Sequence, residues 1–276
     1  MGLLERKVAI VTGSARGIGR ATAELFAAEG AKVLISGLDA EAAAHTATEI
    51  GGETAVFAAD LTRAGAAEEL VATAVDAFGD VDIVVNNTGY PWDGIAHKMT
   101  DAQFQAMLDI HTVVPFRVAR ALAPRWRAQA RREREEGTEV FRKLINVSST
   151  TGMMGNPGMV NYAAGKAALI GLTKTLAKEW GQFKINVNAL AFGYVETRLT
   201  AAMGEAGEIT SPTGARIALG IPPEQRGVAT AVIPLGRPAT PREAAGPALF
   251  LASRFADYVH GQVLNVSGGM PGGMYA

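Results

Sequence analysis

Residues 8–19 read Val8-Ala9-Ile10-Val11-Thr12-Gly13-Ser14-Ala15-Arg16-Gly17-Ile18-Gly19. Val8 to Thr12 is a short β-branched run of the kind that forms a buried strand, and Ile18 to Glu29 has the apolar spacing of a helix. Between them three glycines stand in the order G-x-x-x-G-x-G. Glycine permits a tight turn and lets backbone N–H groups approach a pyrophosphate with no Cβ in the way. The helix N-terminus adds partial positive charge. The spacing differs from the commoner G-x-G-x-x-G and would also serve a plain packing turn. Its place after the first strand favours a phosphate cradle.

Outward from this loop, strands and helices alternate. Strands are expected at Lys32 to Ser36, Ala55 to Ala58, Asp82 to Asn86, Lys143 to Ser148, Ile185 to Leu190 and Gln262 to Val266. Helices are expected from about Ala40 to Ile50, Ala64 to Phe78, Asp101 towards Arg134, and Asn161 to Gly181. Strand–helix alternation implies right-handed crossovers and a parallel sheet covered on both faces. The expected fold is therefore α/β, a Rossmann-like doubly wound parallel sheet. No composition break or repeat divides the 276 residues, so 1–276 reads as one domain.

Composition narrows the function. Lys plus Arg number 26 and Asp plus Glu 27, which gives no global reason to bind nucleic acid or an anionic membrane. There are no cysteines, so disulfides, thiolate zinc sites and cysteine nucleophiles are excluded. The four histidines form no close ligand pair, and no metal is expected. No signal peptide or membrane span is read, and a cytoplasmic protein is expected. Two segments depart from the alternation. Arg125 to Lys143 is dense in both charge signs and reads as a solvated helix end turning at Gly137. Arg198 to Pro234, rich in Gly, Pro, Ala and Thr, reads as a substrate lid or binding loop.

Tyr162 and Lys166 are four apart on an expected helix and share a face. An ammonium beside a phenol lowers its pKa, which suits a tyrosine general acid/base. Ser148 and Ser149 end a strand at the carboxyl edge of the sheet, where open α/β sheets bind ligands. Such serines could hold a substrate oxygen or simply cap a turn. Neither lies in G-x-S-x-G, which disfavours a hydrolase. At the end of the second strand, Asp39 could bond an adenosine ribose or cap the next helix; capping is the better fit.

Together these elements resemble the short-chain dehydrogenase/reductase family, near the 3-oxoacyl acyl-carrier-protein reductases, over nearly the whole chain. Thr12-Gly13-x-x-x-Gly17-x-Gly19 is similar to the family's cofactor loop. Asp60-Leu61 resembles the adenine-contacting pair, and Asn86-Asn87-Thr88-Gly89 the Asn-Asn-Ala-Gly element. Tyr162-x-x-x-Lys166, with Ser149 standing 13 positions before the tyrosine, resembles the catalytic signature. Pro234 to Arg237 and Gly261 to Gly269 resemble its C-terminal region.

The resemblance implies an NAD(P)-dependent oxidoreductase interconverting a ketone and a secondary alcohol. Tyr162 would exchange the proton, Lys166 would tune it and bind the nicotinamide ribose, and Ser149 would polarise the substrate oxygen. Gly13, Ser14, Arg16, Gly17, Ile18, Gly19, Asp60, Leu61, Asn87, Gly89, Tyr162, Lys166, Gly193, Val195 and Thr197 would contact the cofactor. The family often forms tetramers, so a homo-oligomer, tetramer or dimer, is expected.

Three departures matter. His111 stands where the family usually has a relay asparagine, and a histidine titrating near neutrality could take its place. Phe192-Gly193 replaces Pro-Gly. Gly37, rather than an acid, occupies the NAD-selecting position, which with Arg16 tilts the expectation from NAD(H) to NADP(H). Tyr90, Trp92, Met154 and Tyr194 could line the pocket or pack the core. Rival readings are a non-catalytic dinucleotide sensor or scaffold, and an epimerase or dehydratase on the same fold; a methyltransferase is more distant.

Overall fold

β1 (Val8–Val11) is buried at every position, and the rest of the molecule is layered around it. The computed structural model describes residues 2–211 and 214–270. After β1 come α1 (Gly17–Ala28), β2 (Lys32–Gly37), α2 (Ala40–Ile50), β3 (Thr54–Ala58), α3 (Ala66–Phe78) and β4 (Ile83–Asn86). The second half holds α4 (Asp101–Leu108), α5 (Val114–Glu135), β5 (Arg142–Ser149), α6 (Thr150–Met154), α7 (Val160–Trp180) and β6 (Ile185–Phe192). Then follow β7 (Glu208–Thr210), β8 (Arg216–Ala218), α8 (Pro223–Ala231), α9 (Pro241–Ala252) and β9 (Val263–Val266).

Seven strands form one sheet in the order β3-β2-β1-β4-β5-β6-β9, and every neighbouring pair is parallel. Side chains alternate between the two faces. Ile10, Leu34, Val84 and Leu144 point into a core shared with α3, α5 and α7. Val11, Ile35, Val85 and Ile145 point into the opposite core, shared with α1, α2 and α9. Strand order reverses between β1 and β4, so the loops after these two strands diverge at the carboxyl edge and leave a crevice for a ligand. No described helix is long and apolar enough to cross a membrane.

The expected strands are all present, most shifted by a residue or two. Two expectations need correction. The single helix from Asp101 is divided by a π-helical turn at Asp109–Val113. That turn carries one extra residue, which points His111 inwards while Val118, Leu122 and Trp126 stay fully buried. Trp126 also donates from Nε1 to the Val81 carbonyl at 2.7 Å, and trimming such a buried indole to alanine costs about 3–5 kcal/mol.

The charged stretch is solvated only in part. Arg142 and Lys143 are buried in β5. Arg142 forks onto Glu133 at 2.9 and 2.6 Å, and Lys143 reaches Asp257 at 2.6 Å and Asn186 at 2.9 Å. Strand burial decides here: Glu133 reaches Arg142 from the end of α5, while Asn186 and Asp257 come to Lys143 from distant sequence.

Arg198 to Pro234, expected as a lid or binding loop, carries elements of its own. It holds the antiparallel pair β7–β8 and the helix α8, while 212–213 lie outside the described residues. Arg198 binds the carbonyls of Ala206 and Glu208, and Arg226 donates to the Tyr194 hydroxyl at 2.9 Å.

Candidate active site

The loop after β1 is fastened from below. Ser14 is fully buried; its hydroxyl donates to the Val11 carbonyl at 2.6 Å and accepts from Ser36 N at 2.9 Å. The Ser14 side chain and its N–H, which donates to the Ser36 carbonyl at 2.7 Å, are thus both spent on joining β1 to β2. The Thr12 hydroxyl accepts from the backbone N–H groups of Asn87 and Thr88. Asn87 in turn donates to the carbonyls of Thr12 and Gly13. A Cβ on Gly19 would lie 2.3 Å from the Gly13 carbonyl oxygen, so this glycine is required by the chain's own packing.

What remains open is the N-terminus of α1. Arg16, its N-cap, provides no side-chain cap, and the first turn holds no acid. Gly17 has φ +58, and a Cβ there would meet only the Thr197 methyl group, at 3.6 Å. These features fit the phosphates of a dinucleotide: unspent helix N–H groups beside a backbone with no side chain. Thr197 stands on the far wall, its own N–H held by the Thr200 hydroxyl at 2.9 Å. Val195 is buried, and Ile18 packs on the core beneath the loop.

The Arg16 guanidinium is 2.9 Å from Asp39. Asp39 is the N-cap of α2, as the capping reading expects, accepting from Ala42 N at 3.0 Å. The Ala42 N–H and then Arg16 hold its carboxyl below the usual range. Asp60 accepts from the N–H and hydroxyl of Thr62, and the Leu61 side chain is buried.

Beyond the crevice, β5 delivers two serines with different tasks. Ser148 is buried and donates to the Lys166 carbonyl at 2.9 Å, pinning α7 to the strand. Ser149 caps α6 by accepting from Thr151 N at 3.1 Å and donates to the Phe192 carbonyl at 3.4 Å; its hydroxyl also lies close enough to the Tyr162 phenol to favour the phenolate. Lys166 is buried, with Nζ 2.6 Å from the Val147 carbonyl and 5.5 Å from the centre of the Tyr162 ring. Burial pushes its pKa down to about 7. The expectation that the ammonium lowers the phenol is reversed in this geometry. Burial dominates, helped by the negative charge of Asp93, and pushes Tyr162 up to about 12.

His111 stands edge-on to Tyr162, ring centres 4.8 Å apart. Its Nε2 is 3.0 Å from the Tyr90 carbonyl. Burial, and then the charge of Lys166, force the imidazole well below its ordinary pKa. The expected titration near neutrality is therefore not what this environment gives. Gly89 abuts the same ring: a Cβ there would lie 2.3 Å from His111 Cε1. Gly193 faces Ser267, whose Cβ would lie 2.9 Å from an added Cβ.

Of the possible pocket walls, Tyr90 and Trp92 pack against the core, and Tyr194 is engaged by Arg226. Sequence reading passed over Asp93. Its neighbours are tied to the start of α7, Trp92 by its carbonyl to Asn161 and Gly94 by its N–H to the Gly158 carbonyl. Nearby protein strips part of the water from the Asp93 carboxyl and raises it to about 6, although the residue as a whole is exposed. A lone acid in the apolar run Tyr90-Pro91-Trp92 was the available signal. Among the described residues no cluster of three or more His, Asp or Glu could hold a metal.

The short chain dehydrogenase family model matches residues 7–207. The chain belongs to this family. An enoyl-(acyl carrier protein) reductase model of the same type matches residues 211–271. Among curated relatives, the 3-oxoacyl (acyl-carrier-protein) reductase of Vibrio cholerae is 35% identical, covering 97% of this chain and 98% of its own. That of Thermotoga maritima is 36% identical with the same coverage. A solved protein from Beutenbergia cavernae, described as an NAD(P)-dependent gluconate 5-dehydrogenase with bound NADP, superposes with a TM-score of 0.81. It is 34% identical and covers 97% of each chain. One from Agrobacterium tumefaciens, described as a gluconate dehydrogenase, gives 0.82 at 31% identity, covering 97% of this chain and 96% of its own. This short chain dehydrogenase is an oxidoreductase on a doubly wound parallel sheet.

Proposed function

We propose that the enzyme interconverts a ketone and a secondary alcohol with a nicotinamide dinucleotide, in the manner of a 3-oxoacyl-type carbonyl reductase. The observation that carries this reading is the convergence of Ser149, Tyr162 and Lys166 at the carboxyl edge of β5. Gly17, the α1 N-terminus and Thr197 would hold the pyrophosphate side. Asn87 and Gly89 line the way towards Tyr162, with Asp60 and Leu61 at the adenine end. When bound, the nicotinamide supplies or accepts the hydride.

Ser149 orients the substrate oxygen by hydrogen bonding, and Tyr162 gives it a proton during reduction or takes one during oxidation. The high phenol pKa means Tyr162 holds its proton at neutral pH, as a general acid for reduction must. Lys166, near neutrality, changes charge easily beside it.

We place NADP(H) ahead of NAD(H). Gly37 puts no acid at the end of β2, and the Arg16 guanidinium lies at the crevice mouth, within reach of a 2′-phosphate once it leaves Asp39. The working form we propose is a cytoplasmic homo-oligomer, and β7, β8 and α8 form the substrate lid. The test is nicotinamide absorbance with 3-oxoacyl thioesters and with sugar-acid ketones, comparing wild type and Tyr162→Phe. Substrate-dependent oxidation of NADPH that Tyr162→Phe abolishes supports the reading. Equal rates in the two proteins overturn it.

A further inference from the structure

One buried polar group beside the site has no role in the reaction outlined above. His111 is 1% exposed, and its Nδ1 is buried with no hydrogen-bond partner. A carbonyl only accepts, so the contact with the Tyr90 carbonyl requires Nε2 to carry the ring proton. Nδ1 of the neutral ring is then a bare acceptor, and the tautomer is fixed by the backbone.

Three further contacts hold the ring still. Gly89 closes one side, where a Cβ would lie 2.8 Å from Nδ1 itself. Gly165 of α7 closes another, where a Cβ would lie 3.1 Å from His111 Cβ. The next residue, Thr112, donates to the Gly165 carbonyl at 3.0 Å and bolts the π turn onto α7. π turns of this kind recur at functional sites. The fourth neighbour is the Tyr162 ring, nearly perpendicular at 80°, an edge arrangement that aromatic pairs prefer.

We propose that His111 is a positioning residue for Tyr162. Its Nε2–H bond to the Tyr90 carbonyl and its contact with the phenol ring lock the proton donor in one orientation relative to the loop after β4. This rests on the reading of Tyr162 as the group that exchanges the proton. It also distinguishes His111 from a titrating relay. The charged and titratable groups packed against it are Lys166 and Tyr162 from α7 and Tyr90 from the loop, and burial together with Lys166 opposes protonation. The ring therefore adds no ionisation of its own near neutral pH.

The test separates the two ring nitrogens. His111→Gln keeps an amide N–H close to the Nε2 position, whereas His111→Asn places its amide nearer Nδ1 and His111→Phe keeps a ring with no donor. Each full-length variant is checked by far-UV circular dichroism. It is then measured for kcat, the pH profile of kcat, and NADPH affinity by nicotinamide fluorescence.

We expect about tenfold lower kcat for Phe and for Asn, NADPH affinity within twofold of wild type, and recovery of most of the loss by Gln. All variants should keep the wild-type number of inflections in the pH profile. If Phe is unfolded, the Gln–Asn contrast alone decides. Wild-type kcat in Asn, failure of Gln to recover, or an inflection near neutrality that disappears in Gln overturns the proposal. A loss of kcat that merely tracks lost NADPH binding does so too. Tyr162→Phe is run alongside: if it is inactive while His111→Asn is normal, only the positioning role falls. If Tyr162→Phe is active, the underlying reaction reading falls with it.

Discussion

Lys166 makes a measurable claim about stability as well as chemistry. In the native protein it ionises near pH 7, against 10.5 when unperturbed, because burial disfavours the ammonium. Below the native value both states are protonated, and the cost of burying the charge is fully present. As pH rises through the native value the folded lysine sheds its proton while the unfolded chain keeps its own, so folding becomes more favourable. The gain approaches about 1.4 kcal/mol per pH unit and ends near the unfolded value. Integrated from about pH 7 to about pH 9, it amounts to about 2 kcal/mol.

Tyr162 acts in the opposite sense but elsewhere. Its pKa is raised to about 12, so the native state holds a proton that the unfolded state loses above about pH 10, and stability falls there. The depressed value of His111 affects only pH below the ordinary histidine range.

The assay is urea unfolding of wild type and Lys166→Met across this window. Methionine keeps the length of the side chain and removes the charge. The wild-type free energy minus that of Lys166→Met should rise by about 2 kcal/mol between the two ends. Subtraction cancels the other titrating groups, including Lys143, which is also lowered by burial. A flat or falling difference would refute the claim that burial governs this lysine.

Other consequences can be checked independently. Ser14→Ala removes a buried hydroxyl that both donates and accepts, and it should cost about 1–3 kcal/mol in chemical denaturation, with NADPH affinity reduced through the disturbed loop. Asp39→Asn keeps the α2 cap but frees Arg16 and removes a negative charge; NADPH titration by fluorescence should show tighter binding, with NADH little changed. Gly89→Ala drives a methyl group into the His111 imidazole and should destabilise by about 1–3 kcal/mol. Adding His111→Ala should recover part of that loss in thermal unfolding. Asp93→Asn removes the charge that hinders phenolate formation at Tyr162, and the alkaline limb of the pH–rate profile should move to lower pH.

The sheet was legible because β-branched runs and alanine-rich helical stretches carry their periods locally. Strand end and helix spacing bring Ser148, Ser149, Tyr162 and Lys166 to one edge; the choice of Ser149 over Ser148 came from the resemblance to the family. What escaped depends on partners remote in sequence. Lys143 looked like surface charge until Asp257 and Asn186 came to meet it. The reason for Gly89 was invisible for the same cause, since the atom that forbids a side chain belongs to His111. The phenol shift at Tyr162 reversed because spacing reports which charge is near but not how much water is gone. The small pair β7–β8 escaped because three-residue strands leave almost no periodic trace.

The π turn at Asp109–Val113 bears on what edits this gene can absorb. An α-helix advances about 100° per residue, whereas a π turn closes its hydrogen bond one residue later and so fits five residues into the sweep of four. The surplus residue is thus absorbed locally, and α4 and α5 keep nearly the phase of one continuous helix. Deleting one of the five would let the turn wind regularly with both flanks close to their places, so Val118, Leu122 and Trp126 would stay in the core. What such a deletion removes is the local bulge that turns His111 towards Tyr162; a single in-frame deletion here would spare the fold and strike the site.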